Sequence, residues 1–208
     1  GGKAIGLIMG LPECKTSIKK ALSMGLDRAC LLSDPAFTGS DTLTTASILA
    51  AAIRRLGPFD LILCGEASTD GFSAQLGPSL AERLDLPQIT AVNRVDIRDG
   101  NLVAERTLED GIEMVEAPFP ALLTVTKEIN KPRLPTLKQI LAAAKKEVVE
   151  WKASDLGFSA DQVGPAGSWV ELRRLMAFKM ERKNIVLEGT AKEAAEKAIR
   201  ELVKEGVI

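Results

Sequence analysis

Residues 65–78 read Gly-Glu-Ala-Ser-Thr-Asp-Gly-Phe-Ser-Ala-Gln-Leu-Gly-Pro, directly after the apolar run Leu61-Ile62-Leu63-Cys64. Three glycines let backbone N–H groups turn toward a ligand, and a helix starting just beyond them brings the positive end of its dipole to the same place. The chemistry such a segment suits is the cradling of an anionic phosphate. It holds no lysine, so it is no Walker A loop, and it does not spell G-x-G-x-x-G. On residue types alone, a phosphate site and a surface turn with a capping serine fit it equally well. A second segment carries charge at close spacing. Arg106, the Glu109-Asp110-Gly111 cluster and Glu113 lead into Pro120-Ala121-Leu122-Leu123-Thr124. Its form is a hairpin with an acidic tip feeding a strand, and by composition alone it is a solvated turn.

Other chemistries are excluded by what the chain lacks. It has 208 residues and no histidine, which removes Ser-His-Asp and Cys-His catalysis and histidine-ligated zinc. The three cysteines, Cys14, Cys30 and Cys64, form no C-x-x-C pair, so they read as reduced thiols rather than a redox or metal pair. A formal net charge of -1 with interspersed signs argues against nucleic acid. With no tyrosine and two tryptophans, a base-stacking platform is not expected either. No apolar run reaches membrane-spanning length and no signal peptide opens the chain. The expected setting is soluble, in a bacterial or archaeal cytoplasm.

The elements that position these segments follow from hydrophobic spacing. Short buried strands are predicted over residues 4–9, 28–32 and 61–64. Helices are predicted over 16–24, 41–56 and 77–84, the second capped by Ser40 or Asp41 and stopped by Gly57-Pro58. Strand and helix alternating in this way argue an α/β fold, a three-layer arrangement with a parallel-type sheet and flanking helices, Rossmann-like. Ligands of such sheets bind beyond the carboxyl ends of the strands, so the loops after Met9, Leu32 and Cys64 are the places to inspect. Residues 101–107 and 112–116 read as a hairpin and 122–126 as a further strand. Pro132 and Pro135 then hold off a helix until Thr136, and 137–145 restarts one. The chain reads as loop from about Trp151 and ends on a helix over 191–203. We therefore expect a nucleotide-binding domain over 1–150 and a C-terminal arm over 151–208. A domain of this class ordinarily has an earlier strand and helix, so an N-terminal piece is expected to be missing.

Taken together, these motifs resemble the beta-subunit family of electron-transferring flavoproteins. Arg106, Glu109-Asp110-Gly111, Glu113, Val115 and the run from Pro120 to Thr124 match its signature in order. Thr126, Ile129-Asn130, Pro132 and Arg133 match the family's next stretch, and Ala21 to Arg28, Gly39 to Thr42, Ala143 to Lys146 and Ser154 to Gly157 also resemble it. Within residues 65–78 the match holds at Gly65, Asp70, Gly71, Gln75, Gly77 and Pro78, and conservatively at Ser73. It fails at Phe72, where the family has an acid.

The resemblance implies a small subunit that binds a nucleotide and supports a large (alpha) subunit carrying a redox-active FAD. Met9, Gly65, Asp70, Gly71, Ser73, Ala74, Gln75 and Leu76 would hold AMP or a second FAD. Likeness to the FixA-type bacterial group tilts the choice toward FAD. Pro132, Arg133 and Leu137 would form a loop that docks acyl-CoA dehydrogenase-type or other flavin dehydrogenases. Read without the resemblance, Leu137 is equally well the first core residue of its helix. Electrons would pass on to a quinone oxidoreductase or another acceptor, as in fatty acid beta-oxidation, or be split in a bifurcating complex. No residue would be catalytic, and no metal is implied. The rival reading from another class is a stand-alone ATP- or AMP-binding stress or signalling module.

Overall fold

Apolar runs bounded by glycine and proline form the strands, and the alanine- and leucine-rich stretches between them form the helices. The computed structural model describes residues 2–69, 71–174, 176 and 184–207. In chain order it contains β1 (Ile5–Met9), α1 (Lys15–Met24), β2 (Arg28–Leu32), α2 (Thr42–Leu56), β3 (Leu61–Gly65), α3 (Leu76–Leu84), β4 (Gln88–Arg98), β5 (Asn101–Thr107), β6 (Ile112–Ala117) and β7 (Ala121–Val125). There follow α4 (Leu137–Ala143), β8 (Val148–Trp151), the one-turn α5 (Gly164–Gly167) and α6 (Ala191–Lys204). Two compact units result, Gly1–Glu171 and Leu172–Ile208.

In the first unit β1, β2 and β8 form a parallel sheet in that order, and a five-stranded sheet has the order β3-β7-β4-β5-β6. Strands β3, β7 and the start of β4 run parallel, while β4-β5-β6 is an antiparallel meander. This is the mixed α/β fold with a parallel sheet and flanking helices that the spacing implies. Alternation along β2 shows the layers. Ala29 and Leu31 pack with Ile18, Leu22 and Ala143 of α1 and α4, whereas Cys30 and Leu32 pack with Ile48 and Ala52 of α2. Both faces are buried, which is why such strands read as unbroken apolar runs.

Capping sets the helix starts. The Asp41 carboxylate accepts the Thr44 N–H at 2.8 Å ahead of α2, and Thr136 with Gln139 forms a capping box ahead of α4. Residues 153–168, loop-like in sequence, fold against the same core. Ala153 and Val163 are buried with Leu32 and Phe37, and the Thr44 hydroxyl donates to Gly167 O at 2.7 Å. In the second unit, α6 starts on a Thr190–Glu193 capping box.

Two strands lie where the sequence reading has none. β4 is eleven residues long, but its apolar alternation breaks at a bulge. Ile89 and Val92 are both buried although three residues apart, and Ala91 between them has φ +56. β8 is only four residues long and takes its place through register with β2, Cys30 opposite Val149 and Leu32 opposite Trp151.

Edges β1 and β3 have no strand partner on one side among the described residues. They border one apolar cleft, lined by Ile5 and Leu7 on one strand, Leu61 and Leu63 on the other, and Leu49 and Ile53 of α2 beneath.

Gly77 fixes how closely α3 approaches the sheet. A Cβ there would lie 2.2 Å from Thr124 Cγ2 on β7, an overlap that the β-branched threonine cannot relieve by a rotamer change alone. Gly77→Ala is expected to lower stability by about 1–3 kcal/mol, read as an earlier midpoint in denaturant unfolding with an unchanged slope.

Candidate functional site

A single row of backbone register joins the two sequence motifs. Gly65 at the end of β3 is opposite Val125, Val125 opposite Val92, Val92 opposite Arg106, and Arg106 opposite Glu113. The glycine loop and the charged hairpin residues therefore sit at the same end of the five-stranded sheet, the carboxyl end of β3 and β7. Three strand spacings of about 4.8 Å put Gly65 and Arg106 roughly 14 Å apart. That span can flank an elongated ligand but excludes a shared hydrogen bond.

The loop after β3 is anchored at its start, where the Glu66 N–H donates to Val125 O at 3.1 Å. Gly65, Gly71, Ser73, Ala74 and Gln75 are exposed, and Leu76, half-buried, opens α3. Gln75 occupies the N-cap position and makes no side-chain capping bond, so the first N–H groups of this nine-residue helix are open to an acceptor. A Cβ built on Gly65 meets nothing within 4 Å, and one on Gly71 meets only Ser68 Oγ at 3.5 Å. The space beside both glycines thus admits a ligand approaching the backbone. Phe72 and Ala74 adopt left-handed backbone with φ +43 and +53. Such a conformation is strained for these residue types and is tolerated more often at binding loops than elsewhere. Asp70 lies outside the described residues.

Around Arg106 the structure gathers residues the sequence reading did not single out. The Arg106 guanidinium donates to Thr90 Oγ1 at 3.0 Å and stands 3.6 Å from the Glu113 carboxylate, while Asn93 donates to Thr107 Oγ1. Arg106 Nε and Asn93 Oδ1 are buried without a hydrogen-bond partner among the described residues. Each such atom costs on the order of 1–3 kcal/mol unless a ligand or water meets it. No spacing rule exposes Thr90 or Asn93, because both flank the β4 bulge.

Met9 is not gathered with the glycine loop. It ends β1 and lines a separate pocket with Gly10, Leu11, Asp34, Phe37 and Thr38, in whose walls none of residues 65–76 takes part. Asp34 in that pocket is already engaged. Its carboxylate accepts the N–H of Ala36 at 2.9 Å and of Ala153 at 3.0 Å, and these bonds outweigh the opposing effect of burial and, with Lys152 adding to them, hold its pKa below the usual value.

Burial pushes the Cys30 thiol up to about 11 and raises Cys64 as well, so neither serves as a thiolate at neutral pH. Among the described residues no group of three or more Cys, Asp or Glu side chains is placed to hold a metal. None of their helices is long and apolar enough to cross a membrane.

Pro132 and Arg133 lie in the irregular, exposed segment before α4. Leu137, the first residue of α4, is 71% exposed, and Leu134 is 92% exposed.

Comparison with known proteins adds to this geometry. Residues 1–156 match the family described as Electron transfer flavoprotein domain. The chain is 40% identical over its whole length to the electron transfer flavoprotein subunit beta of Thermoanaerobacterium thermosaccharolyticum, covering 80% of that protein. It is 36% identical to Protein FixA of Bradyrhizobium diazoefficiens, over 96% of this chain and 72% of the relative. It is also 38% identical to the caffeyl-CoA reductase-Etf complex subunit CarD of Acetobacterium woodii, over 79% of this chain and 63% of the relative.

Asp34 supplies a pH test of the loop framework. A carboxyl whose folded pKa is depressed adds stability above its unfolded value, near 4, and loses it as pH falls through the folded value. Asp34→Asn should therefore be less stable than the parent by about 1 kcal/mol at neutral pH. The gap should close on acidification below about pH 4, as followed by denaturant unfolding at a series of pH values.

Proposed function

The chain belongs to the electron transfer flavoprotein family, with beta subunits and FixA proteins as its relatives, and from this premise we propose that it is a nucleotide-holding small subunit serving a flavin-bearing large subunit. The observation that carries the nucleotide site is the loop of residues 65–69 and 71–75, in which Gly65, Gly71, Ser73, Ala74 and Gln75 are exposed and which ends on the uncapped α3 N-terminus with open space beside Gly65 and Gly71. Phosphate oxygens would accept from the backbone N–H groups of Ser73, Ala74, Gln75 and Leu76, with Gly65 and Gly71 giving room for the approach. Asp70 and, from its own pocket, Met9 complete the set that the family resemblance implies. FAD is the ligand proposed over AMP, on the likeness of the Gly65 loop, Trp151 and the Ser154 to Gly157 run to the FixA-type group. A flavin supplies one- and two-electron chemistry when bound. This chain's residues bind and orient it, and none is assigned a bond-making role.

The arm, with Ala194, Ala198, Ile199 and Leu202 on one face of α6, would lie against the large subunit. Exposed Leu137, stiffened by Pro132 and Pro135 and flanked by Arg133, would dock a flavin dehydrogenase of the acyl-CoA type. Electrons would then pass to a quinone oxidoreductase or another acceptor.

Gly71→Val tests the nucleotide loop without breaking it, because its Cβ meets only ordinary contact. The purified two-subunit complex should contain two flavins with the parent chain and fewer with the variant, by acid release and chromatography. Equal nucleotide content in both would remove the site, and one flavin plus one AMP would replace FAD by AMP.

Leu137→Ala tests docking. Loss of an apolar contact worth about 1.5–3 kcal/mol should slow reduction by a dehydrogenase by one to two decades, with the melting temperature nearly unchanged. A large fall in melting temperature with normal transfer would instead assign Leu137 to packing.

A further inference from the structure

Helices α1 and α4 lie side by side, joined where Ala143 packs with Ile18 and Leu22 and where the Lys146 ammonium donates to Leu22 O at 3.0 Å. Their outer surfaces leave a groove of about 450 Å³, walled by Lys19, Lys20 and Ser23 of α1, Pro135, and Ile140, Leu141, Ala143 and Ala144 of α4 and its end. Ile140 and Leu141 are 50% and 64% exposed, so an amphipathic wall faces outward here. Leu137 is not among the groove's walls. The molecule presents a projecting leucine and, next to it, a recess.

Lys19 and Lys20 wall the groove, and the sequence around them is of one sign. The stretches 15–24 and 129–146 contain Lys15, Lys19, Lys20, Lys131, Arg133, Lys138, Lys145 and Lys146 and not one Asp or Glu, in a chain whose net charge is -1. Lys15 pairs with Glu150 and Lys146 is used on α1. Among the described residues the other six are exposed and join no carboxylate of their own chain. Unpaired like charges such as Lys19 and Lys20, side by side at an apolar recess, repel one another in the isolated chain. An acidic counterpart removes that cost and hastens encounter.

We infer that the α1–α4 groove is a second element of the docking surface, which receives an apolar side chain of the partner dehydrogenase set among Asp and Glu residues. This rests on the docking reading of Leu137 and extends it to a knob and a recess with an acidic partner surface. An anionic membrane would also attract the cations. A recess walled on both sides fits a protruding side chain better than a flat bilayer, which favours a protein.

The test uses the two-subunit complex and an acyl-CoA dehydrogenase that reduces it, followed by stopped flow at low and at high salt. Lys19→Glu with Lys20→Glu should slow reduction about tenfold or more at low salt, with the gap narrowing as salt screens the charges and the melting temperature kept. Lys19→Ala with Lys20→Ala should give a smaller loss of the same sign. An unchanged low-salt rate in the reversed variant, alongside a slowed Leu137→Ala, overturns the groove and leaves the leucine in place. A normal Leu137→Ala with a slow reversed variant supports the groove and removes the leucine reading. Should the reversed variant not fold, carbodiimide coupling of the parent complex decides. Cross-links from Lys19 or Lys20 to dehydrogenase carboxylates support the inference, and cross-links to the large subunit alone overturn it. Lysine-dependent sedimentation with phosphatidylglycerol vesicles, with transfer rates unaffected by the reversal, overturns it in favour of a membrane.

Discussion

Helix α2 is what makes two sheets one domain. Strands β1 and β3 do not pair with each other, so the join between the sheets depends on the helix packed across both. Ile48 and Ala52 of α2 contact Cys30 and Leu32 of β2, and Ala46, Ala50 and Ile53 meet Leu122 of β7 and Leu80 and Ala81 of α3. Ala46, Ala50 and Ala52 are small enough to let the helix approach closely on both flanks. The same helix receives the later chain, through Thr44 to Gly167 and through Asp41, whose carboxylate accepts the N–H groups of Trp169 and Val170 as well as Thr44. Burial works against the charge of Asp41, but these bonds outweigh it and hold its pKa below the usual value.

Because the sheets are tied from beneath, the strand ends above are left to the loops. The β3 loop can expose its backbone because Gly77 seats α3 against Thr124, and that seat fixes where the α3 N-terminus points. Across the same end, the β4 bulge at Ala91 turns its own N–H onto Thr124 Oγ1 at 3.1 Å. Thr124 therefore serves both sides of the row that runs from Gly65 to Glu113. A site made in this way depends on main-chain geometry more than on reactive side chains, which suits holding a cofactor whose chemistry is its own.

The surface follows a different logic from the core. Acids and bases balance over the chain, yet they separate by element, and that separation is invisible to net charge. Helices α1 and α4 present cations beside apolar side chains, while the hairpin tip at Glu109 and Asp110 presents acids. Lys15 of α1 is paired with Glu150, whereas Lys19, Lys20 and Lys138 join no carboxylate among the described residues.

Sequence by itself determined the alternation of elements, the buried character of β2, the cap at Asp41, the helix start after Thr136, and the family, because each rests on local spacing or on contiguous motifs. It also brought the glycine loop and the Arg106 hairpin to attention, though as unrelated segments. Tertiary structure alone decided that they share one row, since register between β3, β7, β4 and β5 is a non-local property. It decided β4 and β8 as well. A bulge breaks the period-2 pattern of β4, and four residues of β8 carry too little pattern to be read without the partner strand β2. The exposure of Leu137 was likewise open in the sequence, where an apolar residue at a helix start fits core and surface alike. Only the packing of α4 through Ala143 against α1, which turns Leu137, Ile140 and Leu141 outward, settled which side of the helix meets solvent.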